Sequence, residues 1–294
     1  MSYNGQKIQR ILIIVLFLAV PLALLLLMTY YPAFKLLQYS FTNWDGINKK
    51  FDYIGFDNYK KIFSQPEIFG IFSKNAAYFL MAVMQNITAL LFAIILNSKI
   101  KGRTAFRSLI FMPYIMNAIA ASYLFAFMYD FEKGPINIFL TAIGIPAVRW
   151  LSNPYIVNFS LAGVGFWRFM GFSMIIYLGA LQSINADLYE CAGLDGANAW
   201  NKFLHITLPS VKRIIELNML LSITGALNAF TEAFSVTKGG PNGASTTFVM
   251  KTVETAFEFS DFGLASAMGI TLMILVSIVI IVQKKFFSEE GGAI

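Results

Sequence analysis

The chain predicts an all-α integral membrane fold with six transmembrane helices and both termini cytoplasmic. Three observations carry that expectation. The 294 residues are 57% hydrophobic and only 13% charged, against roughly 25% charged in soluble domains. Six separate stretches hold enough apolar residues to cross a bilayer, which takes about 20. Lys and Arg cluster at alternate ends of those stretches, as they do on the cytoplasmic side of a membrane.

The expected spans are 11–31, 76–96, 108–128, 156–181, 214–236 and 262–283. The first is too long for a signal-peptide core and no small-x-small cleavage site follows it, so it reads as a retained anchor. Lys7 and Arg10 precede it, and Lys99, Lys101, Arg103 and Arg107 crowd the connection after the second span. Lys202, Lys212 and Arg213 follow the fourth, and Lys284 and Lys285 follow the sixth. These groups share one side when both termini do. The opposite connections, 32–75, 129–155 and 237–261, also hold Lys and Arg, many around Lys49–Lys61, but positive charge acts mainly close to span ends. The first of them carries Asn43-Trp44-Asp45-Gly46 and Tyr53-Ile54-Gly55-Phe56-Asp57-Asn58-Tyr59; the third carries Lys238-Gly239-Gly240-Pro241-Asn242-Gly243, strong turn chemistry. No soluble domain, low-complexity tract or short repeat interrupts the pattern, so residues 1–294 read as one transmembrane domain.

The 29 Phe and 13 Tyr suit interfacial belts. A single Cys191 excludes an intramolecular disulfide and a Cys-rich metal site, and one His leaves no His-based metal set. The net charge of +6 is explained by Lys and Arg near membrane surfaces rather than by nucleic acid.

The most informative segment is the polar connection 182–212. Its centre, 187–209, reads Asp-Leu-Tyr-Glu-Cys-Ala-Gly-Leu-Asp-Gly-Ala-Asn-Ala-Trp-Asn-Lys-Phe-Leu-His-Ile-Thr-Leu-Pro. Leu188, Cys191, Ala192 and Leu194 make an apolar stripe on a short helix, with Asn185 as its N-cap. Asp195-Gly196 offers a turn in which Gly tolerates positive φ. Small residues at 191–193 allow another protein's surface to approach, and Pro209 suits the first turn of the next helix.

This pattern resembles the EAA loop of ABC importer membrane subunits. Glu190, Ala192, Gly196 and Pro209 match the family directly; Cys191 stands where Ala is usual and is small enough to pack alike. The resemblance is closest to the carbohydrate-uptake branch, of the maltose, glycerol-phosphate and multiple-sugar type. It extends through Tyr31-Pro32, Ser40-Phe41, Gly55-Phe56-Asp57-Asn58-Tyr59, Gly102-Arg103, Phe106-Arg107, Pro113, Gly179-Ala180-Leu181-Gln182-Ser183-Ile184 and Gly239-Gly240-Pro241. It implies a bacterial inner-membrane permease that docks an ATPase through Glu190, Cys191, Ala192, Asp195, Gly196, Ala197 and Pro209. It further implies a second permease subunit, two ABC ATPase subunits and an extracellular solute-binding protein. The chain has no Gly-x-x-x-x-Gly-Lys-Ser/Thr phosphate loop, so ATP and Mg belong to the partner ATPase and this chain is a transport subunit, with no catalytic residue and no cofactor of its own.

Polar residues within the spans are the candidates for a solute path. Arg168 lies in the fourth span and Glu232 near the outer end of the fifth, where charge faces a bundle interior or a cavity, or forms a structural ion pair. Asn86, Asn117, Ser222 and Asn228 are polar points on apolar helices, suited to interhelical hydrogen bonds. The resemblance places Tyr114, Phe172 and Ser222 at a sugar cavity; Phe172 departs from the family by offering no hydrogen-bonding group there. The candidate cavity is therefore Tyr114, Asn117, Arg168, Phe172, Ser222 and Asn228, with Arg168 and Phe172 four apart on one helix face. An importer of a non-sugar solute such as a glycerol-phosphate ester is the near alternative. An ion-coupled secondary transporter would show carboxylates near mid-span, and the spans lack them. An exporter or channel has no use for the 187–209 pattern.

Overall fold

The computed structural model describes residues 3–98 and 100–289, with side chains from Leu12 to Phe287. Lys99 of the basic cluster lies outside the described residues, as do the side chains of Lys7 and Arg10. Among the described residues the fold is helical, apart from an isolated antiparallel bridge between Thr42 and Tyr53.

Helix α1 (Tyr3–Leu25) passes through a π-helical turn (Leu26–Tyr30) into α2 (Tyr31–Tyr39). Pro32 accounts for the turn: it donates no N–H and its ring crowds the carbonyl four residues back, so the helix widens ahead of it. Tyr31 N–H accordingly bonds the Leu26 carbonyl, five residues away. The apolar run Leu12–Tyr39 has no buried residue in its most hydrophobic window, and a helix apolar on all sides is suited to a membrane span. Then come α3 (Asp57–Ser64), α4 (Pro66–Phe69), α5 (Ala76–Asn97), α6 (Arg103–Ile115), α7 (Ala118–Met128), α8 (Pro135–Ala142) and α9 (Val157–Gln182). They are followed by α10 (Ala186–Leu194), α11 (Ala199–Lys202), α12 (Leu208–Leu227), α13 (Phe248–Phe257) and α14 (Phe262–Glu289).

Two compact units result. One takes the chain up to Ser64 together with Thr252–Ile274; the other takes Gln65–Lys251 and the stretch from Leu275 onward. In the first unit, buried Asn58 donates to the carbonyls of Ser40 (3.0 Å) and Thr42 (2.8 Å), and the Tyr59 hydroxyl donates to Ser40 Oγ (2.8 Å). The Asn58-Tyr59 pair thereby holds the Ser40-Phe41 turn. A side chain on Gly263 would run into the Thr42 carbonyl, so only Gly admits this approach.

In the second unit, α5, α9 and α12 enclose two apolar clusters. One gathers Tyr78, Ala82, Leu161, Ala162, Ala226 and Ala229; the other gathers Ala89, Ala93, Met174, Tyr177, Leu178 and Val211. Small residues let the helices approach closely in a lipid setting, where packing rather than water exclusion drives association. Gly171 does the same for α6: a Cβ there would strike the Ile110 carbonyl and stand 2.7 Å from the Phe111 Cα.

Among the described residues, four helical segments are long and apolar enough to cross a membrane: Leu12–Tyr39, Pro66–Asn97, Val157–Gln182 and Phe262–Phe287. The pair α6 and α7, bent by 100°, makes up to five. Where the sequence suggests one span over 108–128, the chain therefore breaks. Met116 and Asn117 are extended, and Asn117 Oδ1 accepts from the N–H groups of Ile119 (2.9 Å) and Ala120 (3.4 Å), opening a new helix. The expected span 214–236 is also redistributed. Helix α12 begins earlier, at Leu208, carries Lys212, Arg213 and Glu216 in its first half, and stops at Leu227; helical structure resumes at 231.

Candidate functional site

Two places concentrate polar chemistry in the second unit. The first is the connection from α9 to α12. Asn185 caps α10 as the sequence predicts, its Oδ1 accepting from Asp187 N–H at 3.1 Å. Asp187 adds negative charge to the first turn, favourable against the helix dipole. At the other end Ala197 N–H bonds the Ala192 carbonyl (2.9 Å) and Gly196 N–H bonds that of Gly193 (3.2 Å). This is a Schellman closure, with Gly196 at φ +78° supplying the left-handed residue. Asn198 Oδ1 then accepts from Asn201 N–H (2.8 Å) and starts α11.

From α11 the helix does not end before Pro209. It continues through a π-helical turn (Phe203–Thr207) into α12, and Leu208 N–H bonds the Phe203 carbonyl. The device used ahead of Pro32 thus recurs ahead of Pro209. The Tyr189 hydroxyl meets Thr207 Oγ1 at 2.9 Å, tying the short helix to the base of the long one.

The apolar stripe of α10 points away from the chain's own core. Leu194 is 90% exposed and Leu188 51% exposed, and Trp200 on α11 is 64% exposed. Glu190, Cys191, Asp195, Gly196 and Pro209 are exposed; Ala192 and Ala197 are half-buried. All seven lie on one helix–turn–helix segment, with Asp195 as the C-cap of α10. Exposed apolar side chains beside a carboxylate on a short helix capped at both ends form a surface suited to contact with another protein.

The second place is a cavity of about 560 Å³ between α5, α9, α12 and the segment after α12. Of the predicted cavity residues, Arg168, Phe172, Ser222 and Asn228 line it. Tyr114 is not on the lining. It stands behind Phe172, the two rings stacked at 4.5 Å and 17°. Asn117 is not on the lining either; it is the cap of α7 described above. Ser222 Oγ donates back to the Asn218 carbonyl (3.0 Å) and Asn228 Nδ2 to that of Thr224 (2.9 Å), so both side chains retain acceptor capacity.

The structure adds residues that sequence reasoning did not place here. Gln85, Ser173 and Asn218 line the cavity and belong to a buried polar layer between the two apolar clusters. Tyr177 Oη (2.6 Å) and Asn218 Nδ2 (2.8 Å) both donate to Asn86 Oδ1; Gln85 Nε2 donates to Ser173 Oγ (2.9 Å), which donates to Asn218 Oδ1 (3.4 Å). Asn86 is the one member singled out from sequence, through its polarity within an apolar span. At the cavity wall Arg168 Nη1 meets Glu232 Oε1 at 3.4 Å, both side chains nearly buried. The guanidinium also lies 5.1 Å from the Phe169 ring centroid. Arg168 Nε and the Tyr78 hydroxyl are buried without a hydrogen-bond partner.

Residues 68–288 match the family described as binding-protein-dependent transport system inner membrane component. The chain is 31% identical to the probable ABC transporter permease protein YurN of Bacillus subtilis (strain 168), over 91% of this chain and 94% of that protein. It is 29% identical to the multiple sugar-binding transport system permease protein MsmF of Streptococcus mutans, over 92% and 93%. Its fold matches a subunit of a bacterial alginate ABC transporter, solved in complex with an alginate pentasaccharide-bound periplasmic protein. The TM-score is 0.84 at 21% identity, covering 97% of this chain and 96% of that one.

Proposed function

The chain belongs to the family of binding-protein-dependent transport system inner membrane components, and from that premise we propose that it carries a saccharide through the membrane, driven by ATP hydrolysis on a partner docked against α10. The observation that carries this reading is the α10 lever: capped at both ends, hydrogen-bonded to the base of α12 through Tyr189, and presenting Glu190 and Leu194 outward. A push on such a segment is transmitted along one continuous helix from Ala199 to Leu227. That helix carries Asn218 and Ser222 at the cavity, so docking and solute site share an element that moves as a unit.

A saccharide is supported by the likeness to the multiple sugar-binding permease MsmF and by the lining itself. Aromatic rings at Phe169 and Phe172 offer faces for the C–H surface of a sugar, and Gln85, Ser222 and Asn228 offer groups for its hydroxyls. The working assembly is this chain with a second permease, two ATPase subunits and an extracellular solute-binding protein, in a bacterial inner membrane with both termini cytoplasmic.

The test is reconstitution of that assembly in proteoliposomes with a labelled oligosaccharide inside a loaded binding protein. ATP-dependent uptake that vanishes on Glu190→Lys, with the variant still inserted and assembled, is the expected result. Full uptake by that variant, or uptake driven by an ion gradient without ATP, defeats the proposal.

A further inference from the structure

The cavity's only charged lining residues, among the described residues, are Arg168 and Glu232, and they face each other at 3.4 Å. Their side chains are 11% and 13% exposed. The cavity is therefore formally neutral, and its one cation already has a partner. Resting on the transport reading above, we propose that this pair makes the cavity selective for electrically neutral, polyhydroxylated solutes and excludes carboxylated ones of the same size.

The reason lies in what each solute must displace. A carboxylate entering the site has one cation to pair with, Arg168. Taking it leaves Glu232 charged, nearly buried and unpaired, and brings a second anion beside it. Stripping one partner from a buried pair is among the costliest changes in a protein interior, equivalent to a loss of about a hundredfold or more in binding. A neutral sugar leaves the pair intact and still finds partners. Arg168 Nε–H is buried with no acceptor, and the hydroxyl of Tyr78, a residue only 7% exposed, is buried with neither donor nor acceptor. A sugar hydroxyl donates and accepts, so one such group satisfies either. Both residues that carry these groups line the same cavity as the ion pair. Their desolvation is a cost that a hydroxyl reaching them through a small side-chain shift would relieve. Phe169, packed against the guanidinium, restricts Arg168 from swinging away with an incoming anion.

The experiment compares two probes of equal length, maltotriose and trigalacturonate. Binding to the full chain in lipid nanodiscs is titrated by ligand-observed NMR, which reads weak affinities. Wild type should bind maltotriose at least about tenfold more tightly than trigalacturonate. Glu232→Gln frees the guanidinium for an incoming carboxylate and should narrow or invert that ratio by at least about tenfold; Glu232→Asn should act in the same direction. Arg168→Gln leaves Glu232 and should not improve uronate binding. The inference is overturned if wild type holds both probes equally, if it binds neither, or if folded Glu232 variants leave the ratio unchanged. ATP-driven uptake by the assembled transporter is read separately: uptake of a neutral saccharide with equal binding of the two probes removes the charge rule and leaves the transport function standing.

Discussion

Replacing Gly196 tests whether the α10 lever depends on its closing turn. The residue sits at φ +78°, and a Cβ built there meets nothing within 4 Å. Substitution therefore costs backbone strain alone, with no clash added. For Ala that strain is about 1–2 kcal/mol in the left-handed region, a five- to thirtyfold shift against the closed turn. The two closing bonds, from Ala197 and Gly196 back to Ala192 and Gly193, loosen with it. Asn tolerates the same conformation and should lose little, while β-branched Val should lose most. The assay is solute-stimulated ATPase activity and uptake of the reconstituted transporter, with thermal unfolding of the purified chain as a control. We expect coupling to fall in the order Gly, Asn, Ala, Val while the melting temperature barely moves, because the turn is exposed and remote from the core. Wild-type coupling in Gly196→Val, or equal losses for Asn and Ala, would refute the reasoning that the left-handed turn sets the lever.

Other expectations follow from packing and hydrogen bonding. Gly171→Val should drive α6 away from α9, because its side chain would meet the backbone of Ile110 and Phe111; a melting temperature equal to wild type would remove that contact from the account. Asn218→Leu leaves the buried Ser173 hydroxyl without its acceptor and Asn86 Oδ1 with one of two donors, and a buried group left without its partner costs about 1–3 kcal/mol, read as lower thermal stability in detergent. Phe172→Ala removes both a cavity face and the stack with Tyr114, so uptake should fall unequally across oligosaccharides of different length; uniform wild-type rates would mark the pair as packing only. The Asp45 carboxylate is held below the ordinary range by N–H donation from Asn48 and then Ile47. Its turn is thus favoured above the unfolded carboxylate value of about 4 and weakens as pH falls through the lower folded value. Since Trp44 Nε1 donates to the Asn48 carbonyl in the same turn, Trp44 fluorescence should hold steady from neutral pH to about 4.5 and shift only below about 4.

Much of the connection from α9 to α12 was legible from sequence because its rules are local. Asn185 as a cap and Gly196 as a left-handed turn depend on groups two to five residues apart. Composition settled the membrane setting, and the order of short motifs pointed to the family before any geometry was known. Some of those motifs turn out to be structural clamps, as Asn58 shows by reaching back to the carbonyls of Ser40 and Thr42. The break at Asn117 was less visible: its polarity stood out, but an Asn in an apolar run serves equally as an interhelical partner or as a cap, and only the backbone path distinguishes them.

Arg168, Phe172, Ser222 and Asn228 stood out in the sequence, but how the cavity closes around them belonged to tertiary structure. Its ion pair joins residues 64 apart, and the polar layer joins Asn86 to Asn218 across 132 residues. A soluble helix advertises its buried face through an alternation of polar and apolar residues. Helices bound for lipid are apolar all round, so periodicity says that they cross a membrane and is silent on which side meets which neighbour. Sequence alone determined the membrane setting, the Asn185 cap and the Gly196 turn; packing decided where spans break and that Tyr78, Arg168 and Glu232 line one chamber, because in a bilayer close fit and hydrogen bonding choose the facing sides.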